Sequence, residues 1–136
     1  MPQEYLNTAY CRIAFDEDVQ TVIIEWFGAP KSENFRSACM IVIDALKDHN
    51  ISSVLTDNSR AVIFKREDQQ WLNEVWLPQA EKAGYRASAT VIKKDPFVRF
   101  AVDNIVKGRD QRKFLNERFE SREEAVEWLK SLNKKT

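Results

Sequence analysis

A single imidazole narrows the chemistry open to this chain before any fold is considered. His49 is the only histidine, and the helical pattern that contains it ends there. Ser-His-Asp and Cys-His arrangements need an imidazole beside the nucleophile, and a zinc site built on two imidazoles is excluded with them. Cys11 and Cys39 do not form a C-x-x-C motif. Each falls at an apolar position of its segment, so both read as small core hydrophobes rather than as a disulfide or metal ligands. Neither GxGxxG nor GxxxxGK[ST] occurs, which removes the glycine-rich phosphate loops. Carboxylates pair at Asp16/Asp18, in a hairpin turn, and at Glu67/Asp68, in a helix first turn where acidic residues are expected anyway. The expectation is a protein without catalytic residues, cofactor or metal.

Recognition chemistry remains. The run Asp57-Asn58-Ser59-Arg60 follows an apolar segment and reads as a turn, with Asp57 bonding forward to backbone N–H groups. Arg60, Lys93 and Lys94 have the charges of an anion site. Arg60 also has structural partners within reach, either Asp57 or Glu67/Asp68. Trp71 and Trp76 are five residues apart on one helix, hence about 140° apart around it. One is expected to pack on the core while the other points at least partly outward, where a large rigid side chain anchors partners.

The elements that must position these residues follow from periodicity. Tyr10–Phe15 and Gln20–Phe27 alternate with period two across the acidic turn Asp16–Asp18, a predicted antiparallel hairpin in which Cys11, Ile13 and Phe15 share a face of one strand and Val22, Ile24 and Trp26 share a face of the other strand. Ser32 stands at an N-cap position, and Phe35, Ala38, Cys39, Val42, Ala45 and Leu46 form an apolar stripe ending near His49-Asn50. Ile51–Asp57 reads as the third strand. Glu67–Ala83 reads as the second helix, with Leu72, Val75, Gln79, Ala80 and Ala83 on one side and Gly84 just past its end. Pro78 predicts a kink in it, because proline has no N–H and crowds the carbonyl of Glu74. Arg86–Ile92 is the fourth strand. Pro96 opens a helix with Phe97, Phe100, Ala101 and Ile105 on one face, and a fifth strand lies within Arg112–Phe119. Ser121 and Glu124 form a capping-box pattern ahead of Ala125, Trp128, Leu129 and Leu132.

The order β-β-α-β-α-β-α-β-α requires an α/β fold, a mixed and mostly parallel five-stranded sheet flanked by helices with the first strand antiparallel near an edge. Parallel strands deliver their following segments to one rim. Trp26-Phe27-Gly28, Asp57–Arg60, Lys93-Lys94-Asp95 and Phe119–Ser121 should meet there.

The chain has 136 residues, the size of one domain spanning 1–136, with 43% hydrophobic and 31% charged side chains. Its 21 basic and 21 acidic residues balance, so no global field argues for nucleic acid or an anionic membrane. The apolar runs fall short of the roughly twenty residues needed to span a bilayer. The N-terminus has neither a basic segment nor an apolar signal core, and a cytoplasmic location is expected.

The strand ending in D-N-x-R, the acidic helix start followed by Trp and then W-x-P (Trp76-Leu77-Pro78), and the closing F-x-S-x-E-E-A-x-x-W-L pattern (Phe119–Leu129) resemble the SpoIIAA-like branch of the STAS-domain superfamily. More narrowly, they resemble its short single-domain members common in Bacteroidetes. The resemblance covers nearly the whole chain and rests on the order of its motifs. It implies a mixed sheet flanked by helices, related in outline to the CRAL-TRIO lipid-transfer fold. It also implies a non-enzymatic interaction or regulatory module, in which some members carry a phosphorylated serine after the central strand. The counterpart here is Ser59, although Asn58 precedes it and Arg60-Ala61 follow where the family has Asp-Ser-Ser/Thr-Gly.

The leading expectation is therefore a module that docks an unidentified protein, a second copy of the chain included. It would use Asp57, Asn58, Ser59, Arg60, Lys93 and Lys94 with Trp71 and Trp76 from the adjacent helix. The alternative is a domain that binds a small apolar ligand or lipid, which requires an apolar cavity between sheet and helices.

Overall fold

The computed structural model describes residues 3–61, 64–92, 96–110 and 112–133, without the side chain of Phe97. Six strands lie side by side in chain order: β1 (Gln3–Asn7), β2 (Cys11–Asp16), β3 (Thr21–Gly28), β4 (Ser53–Ala61), β5 (Ala87–Val91) and β6 (Leu115–Phe119). β2 is antiparallel to both neighbours, whereas β3, β4, β5 and β6 are mutually parallel. The expected mixed, mostly parallel sheet is present with one strand more than expected. β1 carries little alternation that sequence could register, since Tyr5 and Leu6 are its large apolar residues and neither is fully buried.

The hairpin pairs its core faces directly. Cys11 lies opposite Trp26, Ile13 opposite Ile24 and Phe15 opposite Val22. All six are buried, so the period-two pattern and the register specify each other. Helix α1 (Ser32–His49) lays Phe35, Ala38, Cys39, Val42 and Leu46 on this face. It starts one residue earlier than an N-cap at Ser32 allows: Lys31 occupies the cap and makes no side-chain cap bond. The Ser32 hydroxyl is instead committed to Asp68.

The segment after β4 is three short helical pieces, α2 (Arg66–Trp71), a π-helical turn (Leu72–Trp76) and α3 (Leu77–Lys82). The kink expected of Pro78 takes this form. In the wide turn Leu77 N–H bonds back to the Leu72 carbonyl, five residues away, just before the proline that has no N–H to offer. The extra residue rotates the apolar face. Trp76, Leu77 and Ala80 are buried, while Val75 is 43% exposed and Gln79 is exposed, a correction to the stripe read from regular spacing. At the end of α3, Gly84 has φ +110°, and Tyr85 N–H reaches the Ala80 carbonyl, the chain reversal that glycine permits.

Helix α4 (Pro96–Lys107) buries Val98, Ala101 and Val102 and exposes Phe100 at 73%. Its apolar residues fit two overlapping stripes, and the one through Val98 and Val102 packs on Ile92, just past the end of β5. Phe97's side chain lies outside the described residues. Helix α5 (Arg122–Asn133) covers the opposite sheet face, where Ala125 and Leu129 join Val19, Ile23, Leu55, Ala89 and Val91. Its capping serine is in place: Glu124 N–H donates to Ser121 Oγ at 3.2 Å.

Candidate functional site

The run Asp57–Arg60 is strand, not turn. β3 and β4 pair in step from Val22/Val54 to Glu25/Asp57, and Phe27 then lies opposite Arg60. Two residues on β3 thus advance against three on β4, and the extra residue is a bulge at the end of β4. Asp57 takes over the polar bonding that the bulge disturbs. Its Oδ1 accepts both the Ser59 N–H at 2.9 Å and the Ser59 hydroxyl at 2.6 Å. Its Oδ2 lies 3.6 Å from Arg122 of α5, which also reaches Glu25 at 3.4 Å. The α5 face of the sheet therefore fixes this strand end. Asn58 turns into the core, Ser59 is half-buried and Arg60 is exposed.

Asp57 bonds forward as its residue type suggests, but Asp57 and Asp68, two of the partners considered for Arg60, are engaged elsewhere. Asp57 pairs with Arg122, while Asp68 accepts Ser32 Oγ at 2.9 Å and Arg36 Nε at 3.2 Å. Among the described residues no ion pair holds Arg60.

The bond from α1 to Asp68 sets the position of α2. Asp68 is 2% exposed, and a carboxylate so buried is stable only with charge-assisted partners. The Arg36 guanidinium lies over the Trp71 ring, 5.5 Å from its centre, and Phe35 meets the same ring edge-on. Gln69 donates to the Phe64 carbonyl and accepts from Asn104 of α4. Trp71 is half-buried, and Trp76 is 5% exposed with its indole N–H donated to the Cys39 carbonyl at 2.7 Å. One tryptophan is core and the other partly outward, although the π turn between them replaces the regular helix from which the separation is read.

Gly28 pairs with Ala61, Phe27 with Arg60 and Val91 with Phe119. The described segments that follow the parallel strands therefore emerge at one end of the sheet, beside the first turn of α1 and Trp71. Lys93 and Lys94, with Asp95, lie outside the described residues. His49 ends α1 at the other end of the sheet, stacked on Phe15 at 3.7 Å. Burial pushes the Cys11 thiol up to about 12, with Glu25 adding to the shift, and raises Cys39 well above the ordinary thiol range. Neither serves as a nucleophile in that state. Among the described residues no cluster of histidine, cysteine and carboxylates fits a metal ion, and no helix is long and apolar enough to cross a membrane.

A cavity of about 90 Å³, partly open to solvent, separates the sheet from the helices. Its sheet wall is mixed, with Ile24, Trp26 and Val54 beside the polar Thr56 and Asn58 of β4 and Ser88 and Thr90 of β5; its helical wall is apolar, with Leu72, Trp76, Val102 and Val106. Arg109 borders it, donating to Asn73 Oδ1 at 3.1 Å, Tyr85 Oη at 2.9 Å and Asn116 Oδ1 at 3.2 Å. Asn58 is only 3% exposed, and its side-chain oxygen is buried without a partner. The sequence placed Asn58 in an exposed turn, and Arg109 and Asn73 carried no motif. The available signal was Thr56-x-Asn58 and Ser88-x-Thr90 alternating on neighbouring parallel strands, which puts polar side chains on a face that is otherwise core.

The sequence matches no protein-family model and no curated protein. Its fold is similar to that of the anti-sigma factor antagonist SpoIIAA in its unphosphorylated form, with a TM-score of 0.58 at 15% identity over 96% of this chain and 97% of that one. SpoIIAA of Bacillus, a cell fate determinant, in its phosphorylated form gives 0.52 at 14% identity over 95% and 99%. An uncharacterised Shewanella loihica protein with a SpoIIAA-like fold gives 0.63 at 14% identity over 92% and 98%. The chain has a SpoIIAA-like fold, as its motifs implied.

Proposed function

We propose that this chain is a non-enzymatic STAS-like module of one domain that docks a protein partner through the end of β4 and the helix after it. The observation that carries the reading is the contrast between neighbours at the bulge. Asp57 and Ser59 are locked to each other and to α5, while Arg60 projects from this fixed base into solvent. A charge held on rigid backbone is presented to a partner with little ordering cost. Trp71, half-buried beside Arg36 at the same end, supplies the apolar part of the surface. Lys93 and Lys94, outside the described residues, belong to the proposed surface by their place in the sequence after β5, and Trp76 supports it from the core. SpoIIAA, a protein of this fold, is an anti-sigma factor antagonist, which is the kind of role proposed.

Regulation at Ser59 is a special case of this reading. Phosphate there would add about −1.5 to −2 charges, replace the hydroxyl's bond to Asp57 and oppose that carboxylate. Ser59→Asp is then expected to weaken partner binding while Ser59→Ala preserves it; equal binding by both variants removes the switch. The docking reading itself is tested by quantitative affinity capture with the full chain. Arg60→Ala should lose the partner at unchanged melting temperature and Trp71→Ala should lose it while still folded at the assay temperature, and retention by both would sink the proposal.

The small-ligand alternative draws support from the cavity, but not in its lipid form. About 90 Å³ is far below the roughly 300–1,000 Å³ of pockets that enclose drug-sized ligands, and four polar side chains interrupt its sheet wall.

A further inference from the structure

One side chain that lines the cavity carries a polar atom that the protein itself leaves unserved. Along its wall Ser88 Oγ donates to Asn116 Oδ1 at 2.6 Å, and the same oxygen accepts from Arg109. Arg109 also binds Asn73 and Tyr85. That network is internally matched. Asn58, by contrast, is almost wholly buried, lines the cavity, and has a buried side-chain oxygen with no partner. An amide oxygen taken out of water without a donor destabilises the fold, and an apolar side chain on β4 would avoid that loss. Alternation with Val54 and Thr56 turns this position inward, while Asp57 and Ser59 on either side of it bond to one another.

The surroundings define what would satisfy it. Asn58 Oδ1 is an acceptor, so the missing group is an N–H or O–H. The guanidinium of Arg109 on the cavity border disfavours a cationic donor such as an ammonium. An anion without a hydrogen to donate leaves the amide oxygen unpaired. The opposite wall of Trp76, Val102 and Val106 accepts an apolar edge. The volume admits a small ring or a terminal group of that size.

We propose that this cavity is a binding site for a small neutral molecule, or the end of a larger one, that donates an N–H or O–H to Asn58 and lays an apolar edge against Trp76, Val102 and Val106. The proposal deepens the small-ligand reading of the cavity and is independent of docking at Arg60. A chain that captures no protein partner would still bind such a molecule.

Pyrazole and isoxazole test it, being five-membered rings of nearly equal size of which only pyrazole has an N–H. The full chain, labelled with nitrogen-15, is titrated with each while the Asn58 side-chain amide and the Trp76 indole N–H are followed by NMR. Pyrazole is expected to shift both signals saturably, and isoxazole to bind at least tenfold more weakly. In Asn58→Leu the preference should vanish through loss of pyrazole affinity, with a melting temperature equal to or above that of the parent. The comparison of the two rings in the unaltered protein needs no variant to fold. Equal affinities there, or no saturable shift at tens of millimolar pyrazole, would overturn the proposal and leave the cavity to water. A preference for pyrazole that persists in Asn58→Leu would overturn the role of Asn58.

Discussion

Replacing Arg36 with methionine tests how the docking end of the molecule is held together. The carboxylate of Asp68 is 2% exposed and has two described partners, Ser32 Oγ at 2.9 Å and Arg36 Nε at 3.2 Å. Removing one member of a buried ion pair costs about 3–5 kcal/mol, because the other charge is stranded. The Arg36 side chain is 41% exposed, so water screens part of the interaction and lowers that figure to about 2–3 kcal/mol. Loss of the cation over Trp71 adds about 0.5–1 kcal/mol. A total near 3 kcal/mol in a chain of 136 residues lowers the melting midpoint by roughly 10 °C. Combining Arg36→Met with Asp68→Leu removes both charges and should restore most of the loss, since an apolar pair of similar volume is often as stable as a buried ion pair. Urea and thermal denaturation of the parent, both single variants and the double variant complete the cycle. A single-variant loss under about 1 kcal/mol, or a double variant no better than Arg36→Met, would refute the idea that this pair fixes α2.

Further outcomes follow from the same geometry. Both thiols are buried and raised, Cys11 to about 12, so Ellman's reagent at pH 8 should modify them no faster than the chain unfolds. Rapid modification of the folded protein would contradict their burial. Because the folded thiols have higher pKa values than the unfolded ones, their contribution to stability is complete below the ordinary thiol pKa. It declines as pH rises toward 12, which alkaline unfolding curves of Cys11→Ala against the parent would show. Gly84 has φ +110°, and alanine there carries a strain of about 1–3 kcal/mol. Gly84→Ala should melt at least 3 °C lower (roughly), and an unchanged midpoint would mean that the end of α3 adopts another conformation.

The parts of the fold that sequence made legible are those set by side-chain period. Cys11, Ile13 and Phe15 alternate because they face Trp26, Ile24 and Val22, and Ser121 with Glu124 marks the start of α5 because the cap itself uses those side chains. The missed features are those in which one residue is inserted into a regular period. At Asp57–Arg60 the composition is that of a turn, yet the extra residue is absorbed as a bulge and the strand continues to Ala61. At Leu72–Trp76 a π turn shifts the buried face from Val75 to Trp76. Each insertion displaces the side chains beyond it without altering the composition, so spacing alone points to the wrong neighbours. Ser32 shows a different limit: its hydroxyl suits a cap locally, and a carboxylate 36 residues away claims it. The rim was legible as a place, through Gly28, Arg60 and Phe119. The cavity beneath it was not, since it arises where large helical side chains fail to fill a polar stretch of sheet.

The most direct test compares quantitative affinity capture by the parent chain with that by Arg60→Glu, Trp71→Ala and Lys130→Glu, the last a charge reversal on the exposed side of α5. All variants are first shown by thermal melting to be folded at the assay temperature. The account expects a protein enriched by the parent and by Lys130→Glu but lost, at least tenfold, from both Arg60→Glu and Trp71→Ala. A partner that remains bound to both rim variants, or one released only by Lys130→Glu, would contradict it.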